Sequence, residues 1–140
     1  MKLNRLVCYV LFSSVFLCYI IVAFPELAAA DTYTEVWDAD TFIPKAGMVI
    51  NYSLYIEPGV HVYFDLNAAL VISGSLTAIG TEEQPITFTS SNTTQPGAWD
   101  SIKFTSGSSG MLKNAVIEFA SQGITAGTSN LQIENCVITK

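Results

Sequence analysis

Residues 69–91 read ALVISGSLTAIGTEEQPITFTSS, and the rest of the chain is understood outward from them. Leu70 and Ile72, Leu76 and Ala78, and Ile86 and Phe88 are apolar pairs two residues apart, with Val71, Thr77 and Thr87 between their members. Successive side chains of a strand leave opposite faces, so this period means short strands with one face buried. Ser73-Gly74-Ser75 and the run GTEEQP at 80–85 separate the pairs with turn-forming residues. No helix runs through such punctuation.

The arrangement recurs on both sides. Leu54/Ile56, Leu70/Ile72, Ile86/Phe88 and Ile102/Phe104 follow one another at steps of sixteen residues, and Val60/Val62 and Leu76/Ala78 supply a second pair. Further on the step lengthens to twenty-one: Leu112 maps to Ile133, Asn114 to Asn135, Ala115 to Cys136, Val116 to Val137 and Ile117 to Ile138. Short strands and turns repeating every ~15–25 residues specify a β-solenoid, each coil stacked on the one before. The register stays open. A coil of sixteen puts Ile56, Ile72, Phe88 and Phe104 in one inward column, with Phe88, Phe104 and Phe119 as an aromatic stack. A coil of about 21–22 instead pairs Leu54 with Leu76.

The runs LYIEPGVHVYF (54–64), GSLTAIG (74–80), QPITFTS (84–90) and WDSIKF (99–104) resemble, in that order, the opening coils of right-handed parallel β-helix proteins. These belong to the pectin-lyase-like superfamily, and the resemblance covers the chain from about Phe42 onward. It implies an all-β, right-handed parallel β-helix, here the N-terminal coils. That fold carries lyases, hydrolases, adhesins and inert stalks alike, so it names no activity.

Residues 1–30 read as an export signal. Lys2 and Arg5 precede an apolar run over 6–24, Pro25 and Glu26 break it, and Ala28-Ala29-Ala30 offers the small residues that signal peptidase accepts before Asp31. Retention as an anchor is the alternative, since nineteen residues approach the ~20 that span a bilayer. The basic flank exports the remainder either way. Leu17 before Cys18 is too bulky for lipoprotein processing. The expected location is secreted or cell surface, with membrane attachment only through an uncleaved signal.

Residues 31–51 read as an entry and capping segment and 52–140 as the coils. Beyond residue 30 the chain carries four lysines and eleven acids, a net charge of −7, and no arginine. Nucleic acid is excluded as a partner, because phosphate recognition needs a basic surface. Cys8 and Cys18 leave with the signal, so Cys136 has no intramolecular partner and reads as a small buried apolar residue.

Trp37 is expected to lie over the first coil, with carbohydrate stacking as its sharper role. Asp38 with Asp40, and Glu82 with Glu83, are too few oxygens for calcium, which takes ~6–8. No Gly-rich phosphate loop and no Cys/His metal spacing is present, and no cofactor is expected. Asn114 and Asn135, at equivalent positions of successive repeats, are expected to stack as a ladder at a coil corner and bond neighbouring backbone. Asn51-Tyr52-Ser53 and Asn92-Thr93-Thr94 are glycosylation acceptor patterns, the second in the polar loop SSNTTQPGA at 90–98.

The resemblance implies what a catalytic site would need: a basic residue beside calcium-holding acids for a lyase, or paired aspartates from adjacent coils for a glycosidase. Only Asp100 and Glu118 are placed to face each other across coils, which makes them candidate carbohydrate contacts, and His61 falls at an outward position of its strand. Two readings follow. One is an exported structural or adhesive module, contacting surface polysaccharide or other cell-surface proteins, with no catalytic site of its own. The other is the N-terminal part of a carbohydrate-active β-helix enzyme with its catalytic coils past Lys140. The last repeat, LQIENCVITK at 131–140, breaks off in mid-coil, so the chain is expected to continue or to associate end to end.

Overall fold

The computed structural model describes residues 34–140, and the export signal expected over residues 1–30 lies outside them. The described residues form fourteen short strands and no helix. None of their structure is therefore a helix long and apolar enough to cross a membrane.

The strands wind round three parallel sheets. The first holds β1 (Thr34–Trp37), β4 (Ser53–Ile56), β7 (Ser75–Ile79), β10 (Ser109–Lys113) and β13 (Leu131–Glu134) in that order. The second holds β2 (Thr41–Ile43), β5 (His61–Phe64), β8 (Ile86–Ser90), β11 (Ala115–Ile117) and β14 (Val137–Ile138). The third holds β3 (Met48–Ile50), β6 (Leu70–Ile72), β9 (Trp99–Phe104) and β12 (Ala120–Ala126). Every pairing is to the strand one coil away, which makes a parallel β-solenoid of about five turns. The stretch 34–50, expected as an entry segment, is itself a three-strand coil paired to the next.

The register settles on the longer coil. Thr34 pairs with Ser53, Ser53 with Ser75, Ser75 with Ser109 and Gly110 with Leu131, giving steps of 19, 22, 34 and 21 residues. Leu54 pairs with Leu76, as the 22-residue alternative requires. The third coil is long because the turn at 80–85 and the loop at 91–98 enlarge two of its corners.

The single column of Ile56, Ile72, Phe88 and Phe104 is therefore wrong. Ile56 lies between Trp37 and Ala78 in the first sheet, and Phe88 between Val62 and Ile117 in the second. Only Ile72 and Phe104 are neighbours, in the third. Sixteen residues carry the chain from one side of the coil to another, and each side repeats the same apolar pair. Phe88, Phe104 and Phe119 do not stack either, since Phe119 sits outside the strands in a turn with φ 62°. The internal aromatic stack is Phe64 on Trp99, with ring centroids 3.9 Å apart and planes 13° from parallel.

The inward and outward faces do follow the alternation. Leu54, Ile56, Val62, Phe64, Leu70, Ile72, Leu76, Phe88, Ile102, Phe104 and Leu112 are buried in one continuous core. Burying each large side chain stabilises by roughly 1.5–3 kcal/mol. Where the chain turns, space is short. A Cβ at Gly74 would collide with the backbone carbonyl of Tyr52 in the coil below, so this corner accepts only glycine.

The corner after the first sheet is built differently. Asn114 takes φ 47° and Asn135 takes φ 49°, the left-handed region that asparagine tolerates better than most residues. The Asn114 side-chain amide donates to the Gly80 carbonyl one coil earlier at 2.9 Å. The backbone N–H of Asn114 donates to the Glu134 carbonyl at 3.1 Å in the following coil. Cys136, expected to be buried, is only half-buried: its coil has a strand neighbour on one side alone among the described residues, whereas its counterpart Ala115 is enclosed. Its Sγ points to the Glu134 carbonyl at 3.3 Å.

Candidate functional site

The outer face of the second sheet carries Phe42, His61 and Tyr63. Alternation in β2 and β5 turns Ile43, Val62 and Phe64 inward, and so sends Phe42, His61 and Tyr63 outward. Phe42 and Tyr63 are partners in adjacent strands, and Tyr63 is in turn the partner of Thr89. Three consecutive coils thus place phenyl, phenol and hydroxyl in register, with Thr89 itself only 8 % exposed. Phe42 is 53 % exposed. His61, two residues from Tyr63 on the same face, lies nearly parallel to it, centroids 6.0 Å apart and planes at 13°.

Carboxylates border this row. Asp40 Oδ1 accepts the His61 backbone N–H at 2.9 Å and lies 3.4 Å from its Nδ1, tying the first coil to the second. Glu118 Oε1 accepts the Thr89 hydroxyl at 2.8 Å. Asp65 Oδ1 accepts the Leu66 N–H at 2.8 Å and the Asn92 side-chain amide at 3.0 Å, which pins the loop at 91–98 back onto the preceding coil. The result is an open groove whose floor and walls include Tyr63, Thr89, Ser90, Asn92, Glu118 and Phe119. The enclosed Ser91 hydroxyl has no hydrogen-bond partner among the described residues.

The residues singled out from sequence fall in different places. Trp37 is 7 % exposed and faces the core in the first rung, its Nε1–H donated to Glu35 Oε1 at 2.8 Å. Alternation turns its ring inward as the partner of Ile56. Asp100 and Glu118 do not face each other. Asp100 lies in β9 of the third sheet, with its N–H on the Ala68 carbonyl. Glu118 follows β11 and lines the groove of the second. The coil corner between them, with Trp99 filling it and donating to the Glu118 carbonyl at 2.8 Å, holds them on separate sides. Asn51 and Asn92 are both exposed. His61 is outward, as the alternation in its strand requires.

Among the described residues no group of three or more His, Cys, Asp or Glu is placed to hold a metal ion. One carboxylate has a shifted acidity. Glu35 stands at an inward register position of the first coil, partner of Leu54. Hydrogen bonds from Tyr52 and then Trp37 hold its pKa below the usual carboxylate value of 4.5, against an opposing effect of burial.

The row Phe42–Tyr63–Thr89 was the part that sequence reasoning missed. The alternation in LYIEPGVHVYF marked His61 as outward, but aligning Tyr63 with Phe42 and Thr89 needs steps of 21 and 26 residues, and only the first of these matches a visible repeat. Comparison with protein-family models, curated proteins and solved structures finds no match to the chain.

Proposed function

We propose that the chain is an exported structural and adhesive module of the cell surface, a parallel β-helix of the pectin-lyase-like kind with no catalytic site of its own. The observation that carries this reading is the outward row of Phe42 and Tyr63, set on a hydrogen-bonded sheet and bordered by Asp40, Asp65 and Glu118. A rigid sheet holds aromatic faces in place before any partner arrives, so little ordering entropy opposes binding. Aromatic rings beside hydrogen-bonding groups contact both the apolar and the polar sides of a partner. Surface polysaccharide and other cell-surface proteins are partners of this kind. The leader pattern at 1–30 supports export, and the acidic balance of the remainder disfavours nucleic acid.

The adhesive reading is tested by retention of the exported chain on isolated cell-surface material, with release by soluble polysaccharide expected. Turnover of a polysaccharide, abolished by Glu118→Gln or Asp100→Asn, would replace it with the enzyme reading.

A further inference from the structure

The outer face of the second sheet combines aromatic side chains with carboxylates. Asp40, Asp65 and Glu118 all border it. No lysine lines the groove: Lys103 points outward from β9 in the third sheet, Lys45 follows β2 and Lys140 follows β14. Lys113 ends β10 in the first, paired with Glu134 at 3.2 Å. A polyanionic chain laid in the groove beside Tyr63 would therefore meet the Glu118 carboxylate, with Asp65 behind Asn92, and no lysine there to offset them, and like charges repel at such range. A neutral pyranose polymer meets no such opposition. The carbon-bound hydrogens of a sugar face carry slight positive charge and pack on the negative face of an aromatic ring. Its hydroxyls donate to carboxylates, and hydrogen bonds to an ionised acceptor are the stronger kind.

The groove supplies both at once. Tyr63 forms part of its floor, and Glu118 keeps a second oxygen beyond the one taken by Thr89. Asn92 walls one side, held there by Asp65. Because Phe42, Tyr63 and Thr89 belong to successive coils, a bound chain runs across the strands, along the stacking direction, and not along a single strand. We propose that this groove is a binding site for an uncharged polysaccharide, with one sugar ring packed on Tyr63 and hydroxyls directed to Glu118. The site deepens the adhesive reading and rests on it.

Affinity electrophoresis of the exported chain in gels holding a neutral glucan, a neutral galactan or mannan, or polygalacturonate tests the site. The variants are Tyr63→Ala, Tyr63→Phe, Glu118→Gln and Tyr55→Ala, the last on the outer face of the first sheet. The expected result is retardation by a neutral polymer and little by polygalacturonate. Tyr63→Ala should weaken binding about ten-fold or more, as truncating an anchoring tyrosine does, Glu118→Gln should weaken it less, and Tyr63→Phe and Tyr55→Ala should retain it. Retention by Tyr63→Phe shows that loss in Tyr63→Ala is loss of the ring and not of the fold. Binding that survives Tyr63→Ala but fails in Tyr55→Ala overturns this site and leaves the adhesive reading standing. Stronger retardation by polygalacturonate overturns the uncharged ligand class. Absence of retardation in every gel overturns the site, and retention on cell-surface material then decides the adhesive reading separately.

Discussion

Phe104 and Lys103 are adjacent in sequence and opposite in environment: the ring is 1 % exposed and the ammonium side chain points to solvent. That contrast was legible from alternation alone, because the period of two is fixed by local backbone geometry and needs no knowledge of the partner strand. Phe104→Ala should cost about 3–5 kcal/mol in urea unfolding, as ring-sized cavities do. Lys103→Ala should stay within ~0.5 kcal/mol, and equal losses would mean the faces are misassigned. Gly74→Ala forces a Cβ onto the Tyr52 carbonyl, a backbone atom that cannot swing aside. It should cost about 1–3 kcal/mol, the range of overpacking, and a neutral result would mean that this corner is looser than described. Glu35 makes stability depend on pH. Its folded pKa is lowered by Tyr52 and Trp37, so its stabilisation is complete above 4.5 and is lost as pH falls through the depressed folded value. Urea midpoints of the wild type should fall more steeply below pH 4.5 than those of Glu35→Gln, and parallel curves would reject the assignment.

The strands between residues 54 and 104 were legible as elements, whereas β1, β2 and β3 inside the expected entry segment were not, nor was the assignment of strands to coils. Leu54/Ile56, Leu70/Ile72 and Ile86/Phe88 look like one repeated site, yet they occupy the first, third and second sheets. A three-sided coil writes the same apolar pair on every side, so the shortest visible period is a step between sides. The loop at 91–98 then stretches the third coil to a 34-residue step and hides the true period from any fixed-spacing search. The candidate surface suffered from the same ambiguity, since His61 was visibly outward while the alignment of Phe42, Tyr63 and Thr89 depended on the register. Corners were more legible. The equivalence of Asn114 and Asn135 reflects a shared left-handed backbone, at φ 47° and 49°. Asn114→Gly keeps that backbone and loses the bond to Gly80, at about 1 kcal/mol. Asn114→Ala adds the Cβ penalty of the left-handed region, about 1–2 kcal/mol more. Thermal melts should rank wild type above Asn114→Gly and Asn114→Gly above Asn114→Ala, and an alanine variant as stable as glycine would deny the corner its role.

At the scale of the whole molecule, stability and function both follow from stacking. Each coil contacts chiefly its neighbours, so the core is a column of layers and the outer faces are flat, repeating surfaces. Everything proposed for the groove depends on which strands are neighbours, and double-cysteine oxidation measures that most directly. Adjacent strands lie about 4.8 Å apart, within the ~4.4–6.8 Å between Cα atoms that a disulfide spans. In a Cys136→Ser background, Tyr63→Cys with Thr89→Cys should oxidise readily, since the two are register partners in β5 and β8. Tyr63→Cys with Ile79→Cys, sixteen residues apart and on different sheets, should not. Efficient cross-linking of the Tyr63/Ile79 pair, with the Tyr63/Thr89 pair remaining reduced, would restore the sixteen-residue coil and contradict the solenoid described.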